Sequence, residues 1–232
     1  MSVKIQVWDL PLRLFHWLLV VAVLAGYISG ELGGALTDWH GRIGAAVLGL
    51  LVFRLTWGLV GSAHARFHNF FPTPARLAAY VNGSWQGHGH NPLGALSVIA
   101  LLGVLALLVA TGLFANDDIA FQGPLYGLVD KSVSDRLSGL HHLAFNLLLA
   151  LAGLHVAAIA FYWRVKQTNL VIPMITGEKT VPKPQELPVE GISPWRFVIA
   201  LALALLVVWA IFGGALPQHL AAATPAASTA TW

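Results

Sequence analysis

The chain alternates long apolar runs with short polar ones. Crossing a hydrocarbon layer takes about 20 helical residues. Five runs meet that length, at 11–30, 39–61, 92–114, 140–163 and 195–216. The turn at 31–38, ELGGALTD, holds no lysine or arginine. The segment at 62–91 is polar and basic, and Pro72 and Pro74 break it. The segment at 115–137 opens on Asp117 and Asp118 and contains Gly123 and Pro124, which read as loop. After residue 164 the chain is basic and then proline-rich, with Pro182, Pro184, Pro188 and Pro194, the composition of a linker. The ending AAATPAASTATW is small and polar and reads as a disordered tail. The pattern predicts an all-α integral membrane helix bundle: a transmembrane domain over 1–180, a linker over 181–194, a fifth transmembrane helix over 195–216 and a tail over 217–232.

Composition agrees and narrows the chemistry. The chain is 57% hydrophobic and only 10% charged, where soluble domains have about 25% charged residues. Its first partner is therefore the lipid bilayer. The basic balance comes from lysine and arginine at membrane edges and implies no nucleic acid. With no cysteine, disulfides, iron–sulfur clusters and C-x-x-C-H attachment of haem are excluded. The methionines, Met1 and Met174, lie outside the apolar runs. The first run lacks an A-x-A exit and is read as a retained span. In a five-span topology Lys4, Arg13, Arg54, Arg66, Arg76, Arg164, Lys166, Lys179, Lys183 and Arg196 fall on one side. Only Arg42, Lys131 and Arg136 fall on the other, with Glu31, Asp38, Asp117, Asp118, Asp130 and Asp135. Positive charge stays inside, so the N-terminus is expected in the cytoplasm and the C-terminus in the periplasm.

Histidine within such runs is costly and points to function. The fourth run carries His141, His142 and His155. His141 and His155 are 14 residues apart, which on a helix is about 40° short of four turns and about 21 Å of rise. One face thus offers a nitrogen near each side of the membrane, while His142 sits about 100° away. Counted from the loops, His16 on span one lies at the depth of His155, and His40 on span two at the depth of His141. Four histidines at two depths, two per depth, make a layout for two haems with bis-histidine ligation and no open iron position. That favours electron transfer over oxygen chemistry.

The stretches WDLPLRLFHWLLV, DWHGRIGAAVLGLLVFRLTWGLVG and HHLAFNLLLALAGLHVAAI resemble the bacterial cytochrome b561 family, which includes the b-type cytochrome subunits of nickel–iron hydrogenases. The similarity covers most of residues 7–180. It implies a four-helix core holding two haem b groups, with His16, His40, His141 and His155 at the ligand positions. It also implies electron transfer across the inner membrane between quinone and a periplasmic redox partner such as a cytochrome c or a hydrogenase. Relatives commonly show His-Glu where this chain has His141-His142, which leaves His142 as an alternative ligand. A free-standing superoxide:quinone oxidoreductase is the other reading, with Lys131, Arg136 and Arg42 as its cationic funnel.

Lesser candidates complete the picture. Arg13, Arg42 and Arg54 suit haem propionates, since guanidinium matches carboxylate, and equally suit topology and snorkelling. Gly26, Gly30, Gly41, Gly44, Gly49 and Gly153 make room for porphyrin or for helix packing. The pairs His64/His68 and His88/His90 read as solvated loop histidines, with metal binding or proton relay beside a quinone as the alternative. The quinone is expected near the inner haem, beside the basic, aromatic segment from Trp57 to Trp85. Trp8, Trp17, Trp39, Trp57, Trp163, Trp195 and Trp209 read as an interfacial belt. No nucleophile, hydrolytic metal site or phosphate loop stands out, which favours an electron-transfer subunit over a self-contained enzyme.

Overall fold

A computed structural model describes residues 3–87, 89–119, 121–181 and 193–213. Five helices in it are long and apolar enough to cross a membrane. They are α1 (Leu10–Leu32), α2 (Thr37–Val60), α5 (Pro92–Gly112), α6 (Lys131–Arg164) and α8 (Pro194–Phe212). Between them lie the short helices α3 (Phe67–Phe70), α4 (Pro74–Val81) and α7 (Val171–Thr176), and two strands, β1 (Val3–Gln6) and β2 (Glu178–Val181). The protein is a multi-pass, all-α membrane bundle.

Helix starts follow the polar-residue-then-proline signal. Asp9 Oδ1 accepts from Leu12 N at 2.7 Å, Thr73 Oγ1 from Arg76 N at 3.3 Å and Asn91 Oδ1 from Gly94 N at 2.7 Å. Each has proline at the first or second helical position. α2 packs along α1 on one side and α8 on the other, and α5 packs along α6. Val47, Leu51, Leu105 and Leu148 join the two halves in one apolar cluster. Neither α1 nor α2 makes close backbone packing along α6. The stacked rings of Tyr27 and Phe145, 5.4 Å apart, bridge α1 and α6 instead.

The bundle has two chemically different ends. The starts of α1, α5 and α8 and the ends of α2 and α6 gather at one, which is basic. The 31–38 turn and the 113–130 connection lie at the other, which is acidic. The basic end is tied by β1 and β2, antiparallel from Val3 opposite Val181 to Gln6 opposite Glu178. Val7 N and Trp8 N extend the tie by donating to Gly177 O at 2.8 and 3.1 Å. Gly177 has φ of 87°, and a Cβ there would lie 2.7 Å from Trp8 O, so glycine is required.

Several expectations change. Residues 1–13 include a strand, not only an interfacial lead, because Glu178–Val181 returns to pair with it. The loop placed at 115–137 ends sooner. α6 starts at Lys131 and runs 34 residues, about 51 Å, so its first turns stand beyond a hydrocarbon layer of about 30 Å. Trp8 and Trp57 are not interfacial. Both are buried, Trp57 to 1% exposure, since its indole N–H reaches the buried Asp9 Oδ2 at 3.0 Å. Trp17, Trp39, Trp163, Trp195 and Trp209 are exposed as a belt requires. Pro182, Pro184, Pro188, His88 and the tail lie outside the described residues.

Candidate functional site

α2 and α6 bring His40 and His141 face to face near the acidic end. Their ring centres are 6.2 Å apart and their planes 78° apart. His40 Nδ1 donates to Gly26 O on α1 at 3.0 Å, with Ser29 Oγ at 3.3 Å. His141 Nδ1 donates to Leu108 O on α5 at 2.8 Å, with Thr111 Oγ1 at 3.4 Å. A carbonyl only accepts, so both Nδ1 atoms carry the proton and both Nε2 atoms keep a lone pair. This is the arrangement of metal-ligating imidazoles, whose second nitrogen is anchored to fix tautomer and ring plane. His142 is exposed, with its ring 6.3 Å from that of His141.

Two glycines seat these rings. A Cβ at Gly112 would lie 2.9 Å from His141 Cε1, and one at Gly30 would lie 3.2 Å from His40 Cε1. Gly26 lies against Ile43 and Gly49 against Val208, which is helix packing, Gly41 lies against Phe121 of the 113–130 connection, and the space around Gly44 and Gly153 is open. Gly112, Gly26 O, Ser29, Leu108 O and Thr111 were not foreseen. A serine or threonine within an apolar helix is the sequence signal for such contacts, and a carbonyl leaves none.

His16 on α1 and His155 on α6 lie toward the basic end and within electrostatic reach of each other. His155 Nδ1 has the Ser97 hydroxyl at 3.4 Å. His16 Nδ1 is buried without a hydrogen-bond partner. Beyond them lies a polar hub on Asp9, which is 4% exposed. Its Oδ2 accepts from Trp57 Nε1 at 3.0 Å and from Ser62 Oγ. Arg54, 2% exposed, donates to Ala65 O at 3.2 Å and lies over the Phe67 ring at 4.4 Å. Arg13 donates to Ile175 O through Nη1, and its Nε is buried without a partner. Arg42 stands at the acidic end over Trp39, 5.1 Å from the ring centre.

His90 is not the solvated loop residue the sequence suggests. Its ring lies 4.5 Å from those of both Trp8 and Phe70. Burial, and then the charges of Arg54, His64 and His155, push its titration down to about 3. His64 also faces Trp8, at 6.4 Å. Tyr80, Tyr162 and Asn91 close this end through hydrogen bonds, with Asn91 Nδ2 donating to Tyr162 Oη at 2.7 Å.

The donor set fits haem better than a bare ion. Among the described residues no three metal-binding side chains converge. Two metal–imidazole bonds of about 2 Å, with half a ring behind each, span about 6 Å, which matches the His40–His141 separation. Open space at Gly44 and Gly153 fits the same group.

Paired histidines on separated membrane helices are the mark of the b-type cytochromes. The sequence model of the prokaryotic cytochrome b561 family matches residues 7–177, and the chain belongs to that family. It is 25% identical over 215 residues to the "Probable Ni/Fe-hydrogenase B-type cytochrome subunit" of Rhodobacter capsulatus, covering 76% of this chain and 82% of that one. It is 26% identical over 220 residues to the protein of the same description from Azotobacter chroococcum mcd 1, covering 75% and 87%. No solved structure matches. The protein is a membrane b-type cytochrome, and the family implies haem b and a role in electron transfer.

Proposed function

We propose that the chain moves electrons across the bacterial inner membrane between a periplasmic redox protein and the quinone pool. It does so with two haem b groups, one held by His40 and His141 and one by His16 and His155. The observation behind this is the facing pair His40/His141, each imidazole locked by a main-chain carbonyl into the tautomer that leaves Nε2 free. Haem b, when bound, supplies iron that takes up and releases single electrons. The protein's own part is positioning. α1 and α5 fix the ring planes of ligands borne by α2 and α6, and the apolar cluster of Val47, Leu51, Leu105 and Leu148 keeps water from the space between the two ends. Arg13 and Arg42, at opposite ends, would pair the propionates. Arg54 serves first to order the basic end.

The basic end faces the cytoplasm in this reading, with the N-terminus inside and the C-terminus in the periplasm, since Arg13, Arg54, Arg66, Arg76, Arg164, Lys166 and Arg196 gather there. Quinone is assigned to the same end, beside the aromatic segment of Phe67, Phe70, Phe71, Tyr80 and Trp85. The periplasmic partner is a hydrogenase or a cytochrome c, the former favoured by the description of the relatives. The superoxide reading needs a cationic funnel at the acidic end. Lys131 is held by Asp118 at 2.7 Å and Asp135 at 2.9 Å, and Arg42 lies on Trp39, so the funnel draws little support. The test is a reduced-minus-oxidised spectrum and a pyridine haemochrome assay of the purified protein, followed by re-oxidation with a soluble quinone. Two haem b per chain and re-oxidation by quinone are expected. No b-type α band, or reduced protein indifferent to quinone, overturns the proposal.

A further inference from the structure

The two histidine pairs differ in the hydrogen bonding of Nδ1, the nitrogen that is left for the protein when Nε2 takes the iron. At the acidic end both Nδ1 atoms give their protons to main-chain carbonyls, at 3.0 and 2.8 Å. At the basic end neither does. His155 has only a hydroxyl at 3.4 Å, and His16 has no hydrogen-bond partner at Nδ1. An N–H donated to a carbonyl raises electron density on the far nitrogen and makes it a stronger ligand. A stronger donor favours ferric over ferrous iron, and hydrogen bonding of this kind is one of the levers that set haem potential.

The fixed charges act in the same direction. Glu31, Asp38, Asp117, Asp118, Asp130 and Asp135 outnumber Arg42, Lys131 and Arg136 at the acidic end, whereas Arg13, Arg54, Arg66, Arg76, Arg164, Lys166 and Arg196 outnumber Asp9 and Glu178 at the basic end. Negative surroundings stabilise the more positive oxidation state of iron, and positive surroundings oppose it.

We infer that the haem held by His40 and His141 has the lower midpoint potential and the haem held by His16 and His155 the higher, so the chain carries a downhill gradient from its acidic to its basic end. This rests on the two-haem reading above. Gly30 and Gly112 are the positioning residues that maintain it. A side chain at either one pushes a histidine ring off its seat and stretches its bond to Gly26 O or Leu108 O.

The test is a spectroscopic redox titration of the purified full-length protein, with haem content measured on the same samples. Two one-electron waves are expected. His16→Ala should retain the lower wave and His40→Ala the higher. Gly112→Ala should move the lower wave to more positive potential and leave the upper in place, and Ser97→Ala should leave the lower wave unmoved. Should Gly112→Ala lose haem, Gly30→Ala, with its wider 3.2 Å approach, gives the same readout. Two haems with the higher wave surviving in His16→Ala, or with Gly112→Ala moving the upper wave, overturn the inference alone. Fewer than two haems in the unaltered protein overturn the functional reading and the inference together.

Discussion

Replacing Asp9 with alanine removes a carboxylate shared by three parts of the chain. Oδ1 caps α1 at Leu12 N, and Oδ2 accepts from Trp57 on α2 and from Ser62 beyond it. Loss of the cap costs about 1 kcal/mol. The indole N–H of Trp57, 1% exposed, is left buried without an acceptor, at about 1–3 kcal/mol. The guanidinium of Arg54, on which the Asp9 charge acts, loses a countercharge in a buried setting, for roughly 1–2 kcal/mol more. The sum is about 3–6 kcal/mol, a large share of the roughly 5–15 kcal/mol available to a folded protein. Asp9→Asn keeps one acceptor oxygen, enough for the cap or for Trp57 but not for both, and should lose less than Asp9→Ala. Thermal unfolding in detergent, followed together with haem retention, gives both readouts. The haem of His16 should be released first, because Asp9 fixes the start of the helix that bears it. Asp9→Ala within about 1 kcal/mol of the unaltered protein, or Asp9→Asn less stable than Asp9→Ala, would refute the reasoning.

His142 is exposed, its ring centre 6.3 Å from that of His141, so His142→Ala should leave haem content and both redox waves unchanged in the purified protein. Gly58→Ala should be severe. A Cβ there would lie 2.0 Å from the Phe67 ring, which also covers Arg54, so unfolding temperature and expression should both fall sharply. The fold holds His90 neutral down to about 3, whereas an ordinary histidine titrates near 6.5. The unfolded chain therefore takes up the proton first. Stability should decline as pH falls below 6.5 and keep declining toward 3, and His90→Gln should make that decline shallower in unfolding temperatures measured from pH 7.5 to 5.

Apolar length made the five spans legible, and loop charge with helical rise made the depth pairing of His16 with His155 and of His40 with His141 legible. The signal is strong because a titratable ring in hydrocarbon needs a reason. The β1–β2 tie was not legible. VKIQ and EKTV are short and about 175 residues apart in sequence, and each reads as loop until the other is beside it. Trp8 and Trp57 were misplaced for a related reason. Their indoles look interfacial in sequence, but a buried carboxylate far along the chain gives one of them a partner and so admits both to the interior. His90 was read as solvated because nothing in GHGHN reveals that Trp8 and Phe70 will enclose it. The start of α6 came earlier than expected because Lys131–Leu140 is helical by contacts such as Ser134 Oγ to Phe114 O at 2.6 Å, not by hydropathy.

Haem content per chain in four single and two double variants tests the pairing most directly. His16→Ala and His155→Ala should each remove the same group, and His40→Ala and His141→Ala the other, so each single variant retains about half the haem of a two-centre protein. His16→Ala with His155→Ala should be little worse than either alone, because both strike one site, while His16→Ala with His40→Ala should empty the bundle. Loss of all haem in the first double variant, or retention of half in the second, would contradict the pairing.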